Sequence, residues 1–598
     1  MPVIGIPVDL LTERIQTRFS REELVEHLQH LGCDVEGYAT MRRFGCTRCG
    51  NLMEITETEN PPVLCDRCGT DFKVAPECLQ PAGEKDVVRM ELLAVRPDMF
   101  DPGGLARVLR NYFEESLETP TYQSQPSGYR VDVDENLSQR PYIACAVVRN
   151  LTLDDDKIRV IMKLQENLHW ALGRDRKRAS IGVYDLDTLK GKTFRYTTVG
   201  PEQLKFAPLG YAPDQLCTPA QILAEHPKGT AYARLLQSFD RYPLLQDQEE
   251  QVMALIPIIN SEATKVAKTT TNFFIDVTGV EERIVEKTLN TLVTSMLELD
   301  PKARLETVQV ASKVCPDLSP QVASLDPEGA ARYIGIDLDR AGVIRCLQRM
   351  GHRVTDSGQG PVQVEVPAYR NDILHEVDLI EDVAIAYGYH NIADTLVPTL
   401  TVGQEQPLEV KSQVARASLT GLGYLEVLTL ILSNEDAQYA GLGRPPGDRH
   451  VVLSHPISQD QTMIRVSLLP GLLDTLSANI DHELPQRIFE VGNVTFLADC
   501  ETGAREERRL AGASIGGRSD FAGLRSVCEA VLRDFGWALE TRASDDPAFL
   551  PGRGSEVWAQ RDGQSQRVGL LGEVHPAWLD RYGLAHPTAA FELDLEKL

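Results

Sequence analysis

The chain has 598 residues, 42% of them hydrophobic, which is enough to build several packed domains and rules out a disordered polymer. A formal charge of −26 excludes a protein that grips nucleic acid over its whole surface, because phosphates must be neutralised by Lys and Arg. Any RNA contact is expected to be local or made through a partner. The N-terminal stretch MPVIGIPVDLLTERI has no basic segment ahead of an apolar run, and no run of about 18 apolar residues occurs, so a soluble, cytoplasmic chain with no membrane contact is expected. Of the twelve cysteines, two pairs have Cys-x2-Cys spacing, which suits a reducing compartment with a metal site better than a disulfide framework.

In chain order, residues 1–40 predict a strand and then a helix, with Ser20 and Glu23 as a capping box, Leu24, Leu28 and Leu31 as the apolar stripe, and Gly32 as the stop. The insert 41–80 carries Cys46-x2-Cys49 and Cys65-x2-Cys68, each pair followed by glycine. Two such knuckles aim four thiolates at one Zn2+ in a closed, structural site; a degenerate ribbon with free thiols is the alternative. Residues 87–113 predict a strand, a Pro/Gly turn and an amphipathic helix, and 120–300 a mixed α/β region with a strand at 141–151. In that region Asp276 and Thr278, two apart, face one side of a strand as an acceptor and a hydroxyl, unless they only satisfy the turn before Gly279. The run Arg174, Arg176, Lys177 and Arg178 is the best local nucleic-acid-contact candidate, unless Asp175 and nearby acids pair with it; Trp170 before it reads as core or lid. In VEVPAYRNDILHEVDLIEDVAIAYGYHNI (364–392), Asn371 and Asp372 are N-caps, Ile373, Val377, Ile380 and Ala384 make the buried stripe, and Gly388 stops the helix. Asp378, Glu381 and Asp382 fall on another face, and with Asp372 they suit either Mg2+ or an ordinary solvated acidic surface.

Segment 364–392 closely resembles the B5 module of the phenylalanyl-tRNA synthetase β-subunit family, in its shorter archaeal and eukaryotic form. "RPD … GLAR" within 87–113 resembles an element of that family's first domain. QENLHWALGRDRKRASIGVYDLD, LIPIINSEATKV and NFFIDVTG resemble its B3/B4 domain, and HPISQDQTMIRVSLLPGLLDTL, QRIFEVGNV and GLLGEVHPAWLDRYGL its catalytic-like domain. The resemblance covers nearly the whole chain apart from the cysteine insert. It implies a multidomain α+β protein with an N-terminal α/β domain at 1–118 that carries the zinc-ribbon insert at 41–80. A B3/B4 tRNA-editing-like α/β domain at 119–300, a winged-helix-like B5 domain at 320–398 and a class II synthetase-like antiparallel-sheet domain at 399–598 follow.

The resemblance also implies a function. The family's β subunit works in an α2β2 complex that attaches phenylalanine to tRNA(Phe) with ATP and Mg2+, and the synthetic site lies on the α subunit. Asp372, Asp378, Glu381 and Asp382 match a magnesium site shared with the α subunit. Leu244, Asp276 and Thr278 match a pocket that hydrolyses mischarged Tyr-tRNA(Phe), which is needed because an apolar pocket rejects an added hydroxyl weakly. The chain departs from the pattern at Ala254, where the family commonly has a serine. Arginine-bearing class II motifs are not intact, and Arg487, Phe489 and Glu490 only faintly resemble one, so the last domain is expected to be inactive in synthesis. Its apolar helix around Leu468–Leu476 is expected to serve assembly. A freestanding hydrolase of mischarged tRNA and a non-enzymatic nucleic-acid-binding protein are the alternatives.

Overall fold

The computed structural model describes residues 3–48, 52–65, 69–91, 95–135 and 137–598. The chain divides into two compact units, Met1–Thr395 and Leu396–Leu598. Together they form a sheet-rich, multidomain α+β protein, and no described helix is long and apolar enough to cross a membrane.

The first unit opens with a four-stranded sheet ordered β1 (Val3–Pro7), β4 (Leu79–Glu91), β2 (Asp34–Cys46), β3 (Leu52–Thr56). Helix Arg21–His30 starts at the expected capping box: Ser20 Oγ accepts from Glu23 N at 3.2 Å and Glu23 Oε2 from Ser20 N at 2.7 Å. The stripe Leu24, Leu28 and Leu31 is buried, and Gly32 ends the helix in the left-handed region at φ +84°.

A ten-stranded mixed sheet is built from β5 (Ser124–Val133), β6 (Tyr142–Arg149), β7 (Ala179–Asp185), β8 (Thr193–Val199), β9 (Tyr242–Gln246), β10 (Val252–Leu255), β11 (Ile259–Asn260), β12 (Phe273–Gly279), β13 (Arg304–Val310) and β14 (Lys313–Cys315). Its main path runs β11-β10-β9-β8-β5-β13-β6-β12-β7, and only the β5–β13 and β5–β8 pairs are parallel. The two ends of this path approach each other, since Asn260 on β11 donates to the Val183 carbonyl on β7 at 3.2 Å. Helix Glu282–Leu299 packs on β6 and β12 through Val285, Leu289, Leu292 and Met296, which are spaced to fall on one helical face.

A three-stranded sheet of Gln321–Leu325, Val362–Val366 and Arg353–Thr355 completes the first unit, with helices Arg340–Arg349 and Glu376–Tyr387. One apolar cluster runs from Ile4 to Ala386 and joins all three sheets.

The second unit is a seven-stranded sheet, antiparallel except for its Leu425–Glu426 edge, which runs parallel to Gln486–Leu497. Alternating side chains give it two cores: Leu510 and Phe591 pack with helix Phe521–Asp534, while Ala511 and Ala590 pack with helix Leu469–Ala478. The expectation for Leu468–Leu476 is therefore corrected. Leu468, Leu469, Leu472, Leu473 and Leu476 are all buried within their own unit and offer nothing to a partner.

Candidate functional site

Strand β12 lies between β6 and β7 and all seven of its residues are buried, so an aspartate and a threonine there need partners. The register places Asp276 opposite Gly182, and Thr278 opposite Ser180. Alternation along β7 puts Ser180, Gly182 and Tyr184 on the same face. Tyr184 Oη donates to Asp276 Oδ1 at 2.5 Å, and the Ser180 and Thr278 hydroxyls are 3.0 Å apart. Gly182 is needed here: a Cβ on it would stand 2.2 Å from Tyr184 Oη and 2.3 Å from Asp276 Oδ1. Burial raises the Asp276 carboxyl to about 6, against the Tyr184 hydrogen bond and Arg140, and among the described residues it has no ion pair. At neutral pH Asp276 is thus a buried, ionised acceptor.

Arg140 lies at the back of this closely packed polar cluster, the chamber of Asp276, whose side chains are all buried. It is buried, donating through Nη2 to Thr278 O at 2.7 Å and Ser180 Oγ at 3.2 Å, and through Nη1 to the carbonyls of Arg176 at 3.1 Å and Lys177 at 3.3 Å. Tyr196 Oη donates to the Arg140 carbonyl at 3.0 Å.

The sequence match singles out Leu244, but the structure sets that residue apart from Asp276 and Thr278. Leu244 packs in a satellite core with Val199, Phe206 and Leu255, and lines a cleft of about 790 Å3 beside Arg195, Phe239 and Arg241. Its neighbour Leu245 pairs with Tyr196 and Ala254, and all three join the main core with β12. Successive strand residues point to opposite faces, so a one-residue offset decides which leucine meets the chamber.

The basic run is largely occupied. Arg176 donates to the carbonyls of Pro257 and Ile258 and lies 4.3 Å over the Tyr232 ring; Arg178 pairs with Glu281. Asp175 pairs with Arg234 instead of its neighbours in the run. Arg174 and Lys177 are exposed, and Trp170, expected as core or lid, is 46% exposed beside them. Arg174, Asp175 and Arg176 all take positive φ (48°, 55° and 64°), a costly conformation for three successive non-glycine residues.

In the 364–392 segment the helix is Glu376–Tyr387, starting later than Asn371 and Asp372 would set it. Asp372 cannot cap because Arg370 holds both its oxygens, at 2.9 and 2.6 Å; Asp378 caps instead, accepting from His375 N at 2.7 Å. Leu379, Asp382, Val383, Ala384 and Ala386 are the helix's buried residues; of the expected stripe Ile373 and Ala384 are buried and Ile380 is half-buried, whereas Val377 is 47% exposed. Asp382 accepts from Arg370 at 2.9 Å and is 2.6 Å from His352 Nε2. Burial pushes the Asp382 carboxyl up, but Arg370, His352 and Arg96 together outweigh it and hold it below the usual carboxylate range. Asp372 is lowered in the same way: burial is outweighed, chiefly by Arg370.

The four carboxylates do not fit a divalent ion in this arrangement. Two already neutralise Arg370, Asp378 is engaged by backbone N–H groups, and Glu381 alone is fully exposed. Among the described residues no three His, Cys, Asp or Glu side chains gather as a ligand set. In the insert, Cys46 and Cys65 are buried in one cluster with Met53 and Phe72, while Cys49 and Cys68 lie outside the described residues.

Sequence reasoning missed Arg140, Ser180, Tyr184, Tyr196 and Leu245 in the chamber, and Arg370 and His352 around Asp382. The alternation of ASIGVYD carried a usable signal for Ser180, Gly182 and Tyr184.

Comparison with known proteins agrees with this layout. Family profiles match over residues 158–296 (B3/4 domain), 323–389 (tRNA synthetase B5 domain) and 392–595 (phenylalanyl tRNA synthetase beta chain CLM domain). The phenylalanine--tRNA ligase beta subunit of Methanothrix thermoacetophila is 38% identical over 532 residues, covering 88% of this chain and 94% of its own. The protein of the same name from Methanosphaera stadtmanae is 33% identical over 608 residues and matches both chains over 100% of their length. Among solved structures, an N-terminal fragment of the phenylalanyl-tRNA synthetase β subunit from Pyrococcus horikoshii aligns with a TM-score of 0.55 at 29% identity, over 64% of this chain and 99% of the fragment. A relative matched from end to end, with three family segments in order along the chain, places this protein in the phenylalanine--tRNA ligase beta subunit family.

Proposed function

We propose that the chamber around Asp276 and Thr278 hydrolyses tyrosine wrongly attached to tRNA(Phe), while a separate α subunit performs the ATP-dependent attachment of L-phenylalanine. One observation carries the reading: inside the B3/4 segment, a fully buried aspartate accepts from Tyr184, has no ion pair among the described residues, and is lifted by burial only to about 6. Such a group accepts a hydrogen bond from a phenol and offers nothing to phenylalanine. That is the discrimination a synthetic pocket for phenylalanine lacks, since it rejects an added hydroxyl weakly. Leu245 and Ala254 wall the chamber, and exposed Arg174, Lys177 and Trp170 are our candidates for contact with the tRNA.

The α2β2 assembly and a cytoplasmic location belong to the same reading. We treat the antiparallel sheet of the second unit as a class II-like domain without synthetic activity, because its Glu490 is locked to Arg465 at 2.8 Å. Exposed Leu425, Leu428, Leu430, Ile431 and Ile457 give that unit an apolar surface suited to an α subunit. The three sheets of the first unit support a division into modules near 1–118, 119–300 and 320–398, with β13 and β14 carrying the middle sheet on to Cys315. Shared burial of Cys46 and Cys65 supports a structural Zn2+ completed by Cys49 and Cys68. A Mg2+ shared with the α subunit would need Arg370 to release Asp372 and Asp382 and would find Glu381 already outside.

The test is co-expression with an α chain that carries intact class II motifs, followed by hydrolysis of tyrosyl-tRNA(Phe) by wild type, Asp276→Ala and Thr278→Ala. Clearance by wild type and its loss in both variants is the expected result. A complex that charges phenylalanine but never clears tyrosine overturns the editing assignment.

A further inference from the structure

The chamber holds a cation that the proposed reaction does not obviously need. Arg140 is buried, and among the described residues no carboxylate pairs with it. A guanidinium placed there without a counter-charge is costly, and here carbonyls and a hydroxyl satisfy both terminal nitrogens while Nε has no partner among the described residues. Those partners are telling. Nη1 grips the Arg176 and Lys177 carbonyls, at the end of the left-handed turn and next to the exposed Lys177. Nη2 grips Thr278 O and Ser180 Oγ, the two residues whose hydroxyls touch across β7 and β12.

Hydrogen counting gives this arrangement a direction. Tyr196 has one hydroxyl hydrogen and gives it to the Arg140 carbonyl, so its oxygen keeps only lone pairs. Ser180 Oγ accepts from Arg140 Nη2, and the Ser180 and Thr278 hydroxyls share one hydrogen that either can donate. The circuit runs from Tyr196 through Arg140 and Ser180 to Thr278. Tyr184 spends its own hydrogen on Asp276, while Arg140 Nε has no partner among the described residues. Asp276, Tyr184 and Tyr196 are left with lone pairs alone, and such acceptors favour a ligand that brings its own hydroxyl hydrogen.

We propose that Arg140 is a positioning residue for tyrosine discrimination: it holds the Ser180–Thr278 pair beside Asp276 and ties it to the turn at 174–178. This deepens the editing assignment and rests on it. No bond to substrate is made by Arg140 itself.

The experiment uses the complex with its α subunit and compares wild type, Arg140→Met, Arg140→Lys and Ser180→Ala. Each is assayed on tRNA(Phe) charged with tyrosine or with 4-fluorophenylalanine, which has a similar shape but no hydroxyl donor. Phenylalanylation and thermal melting report the integrity of the complex. In Arg140→Met, kcat/KM on the tyrosyl substrate is expected to fall about 100-fold, the cost of misplacing a reading group by about 1 Å. The tyrosyl to 4-fluorophenylalanyl ratio falls towards one, and Arg140→Lys restores part of it. If both substrates decline together with the ratio kept, or neither declines, Arg140 only supports the fold and the proposal is overturned. Should Arg140→Met not fold, Ser180→Ala decides: a reduced ratio upholds the circuit and an unchanged ratio overturns it. If wild type clears neither substrate, the editing assignment fails and takes this proposal with it.

Discussion

Asp276 and Asp382 are both buried almost completely in the first unit, and they have opposite fates. Asp382 touches Arg370 and His352, and its carboxyl is held low; Asp276 has a phenol as its one hydrogen-bond partner among the described residues, and burial raises its carboxyl to about 6. The difference lies in the neighbours, since depth is the same for both. A carboxylate that already has its cation is part of the framework, joining the 364–392 segment to helix Arg340–Arg349. A carboxylate buried without one costs stability, and that is the kind of group a binding chamber keeps.

The strongest way to break the contrast is to remove the cation from the framework pair. Arg370→Met deprives Asp372 and Asp382 of their chief counter-charge and should cost about 3–5 kcal/mol, read as a drop in the urea midpoint of the first unit. Asp276→Asn should do the reverse. It should cut tyrosyl-tRNA hydrolysis by about 100-fold, as expected for loss of an essential polar contact, without destabilising the chain at pH 7.5.

The sign follows from linkage. Because folding raises the Asp276 carboxyl from 3.8 to about 6, its contribution is fully present below pH 3.8 and is lost as pH rises through 6. Replacing it with Asn removes that loss. Asp382 has a lowered carboxyl, so its contribution is present above pH 3.8 and disappears only as pH falls through its lower folded value. Hydrolysis by wild type should therefore fall below pH about 6, while the 364–392 segment stays intact. An unfolding transition that tracks the loss of activity at pH 6 would contradict this separation.

A smaller effect sharpens the comparison. Tyr184→Phe removes the only described donor to Asp276; about 1–2 kcal/mol of stability should go, and the pH midpoint of hydrolysis should move upward. The smallest effect is expected at the surface. Lys177→Ala should weaken tRNA binding a few-fold and lower the salt dependence by about one unit of slope, measured by filter binding at several salt concentrations.

Much of this was legible in the residues. The capping box at Ser20 and the apolar stripe behind it depend on contacts three and four residues apart, and local sequence carries such contacts well. Asp276 and Thr278 were legible as a same-face pair for the same reason. The Asp372 cap was misread because Arg370, two residues away, outbids the backbone for the carboxylate, and the burial of Asp382 depends on Arg370 and His352, ten or more residues distant. Leu244 was misread because a strand reverses its facing at every step, and the Leu-Leu pair gives no sign of which one looks inward. Arg140 stood 138 residues from Thr278, beyond the reach of any spacing rule.

The apolar cluster that runs from Ile4 to Ala386 has a thermodynamic corollary. Modules that share one interior cannot fray one at a time, so the first unit should melt as a single cooperative block. Damage at Arg370 would then lower the population of folded chambers around Asp276 without touching them, and a loss of proofreading could be inherited through residues that never meet the tRNA.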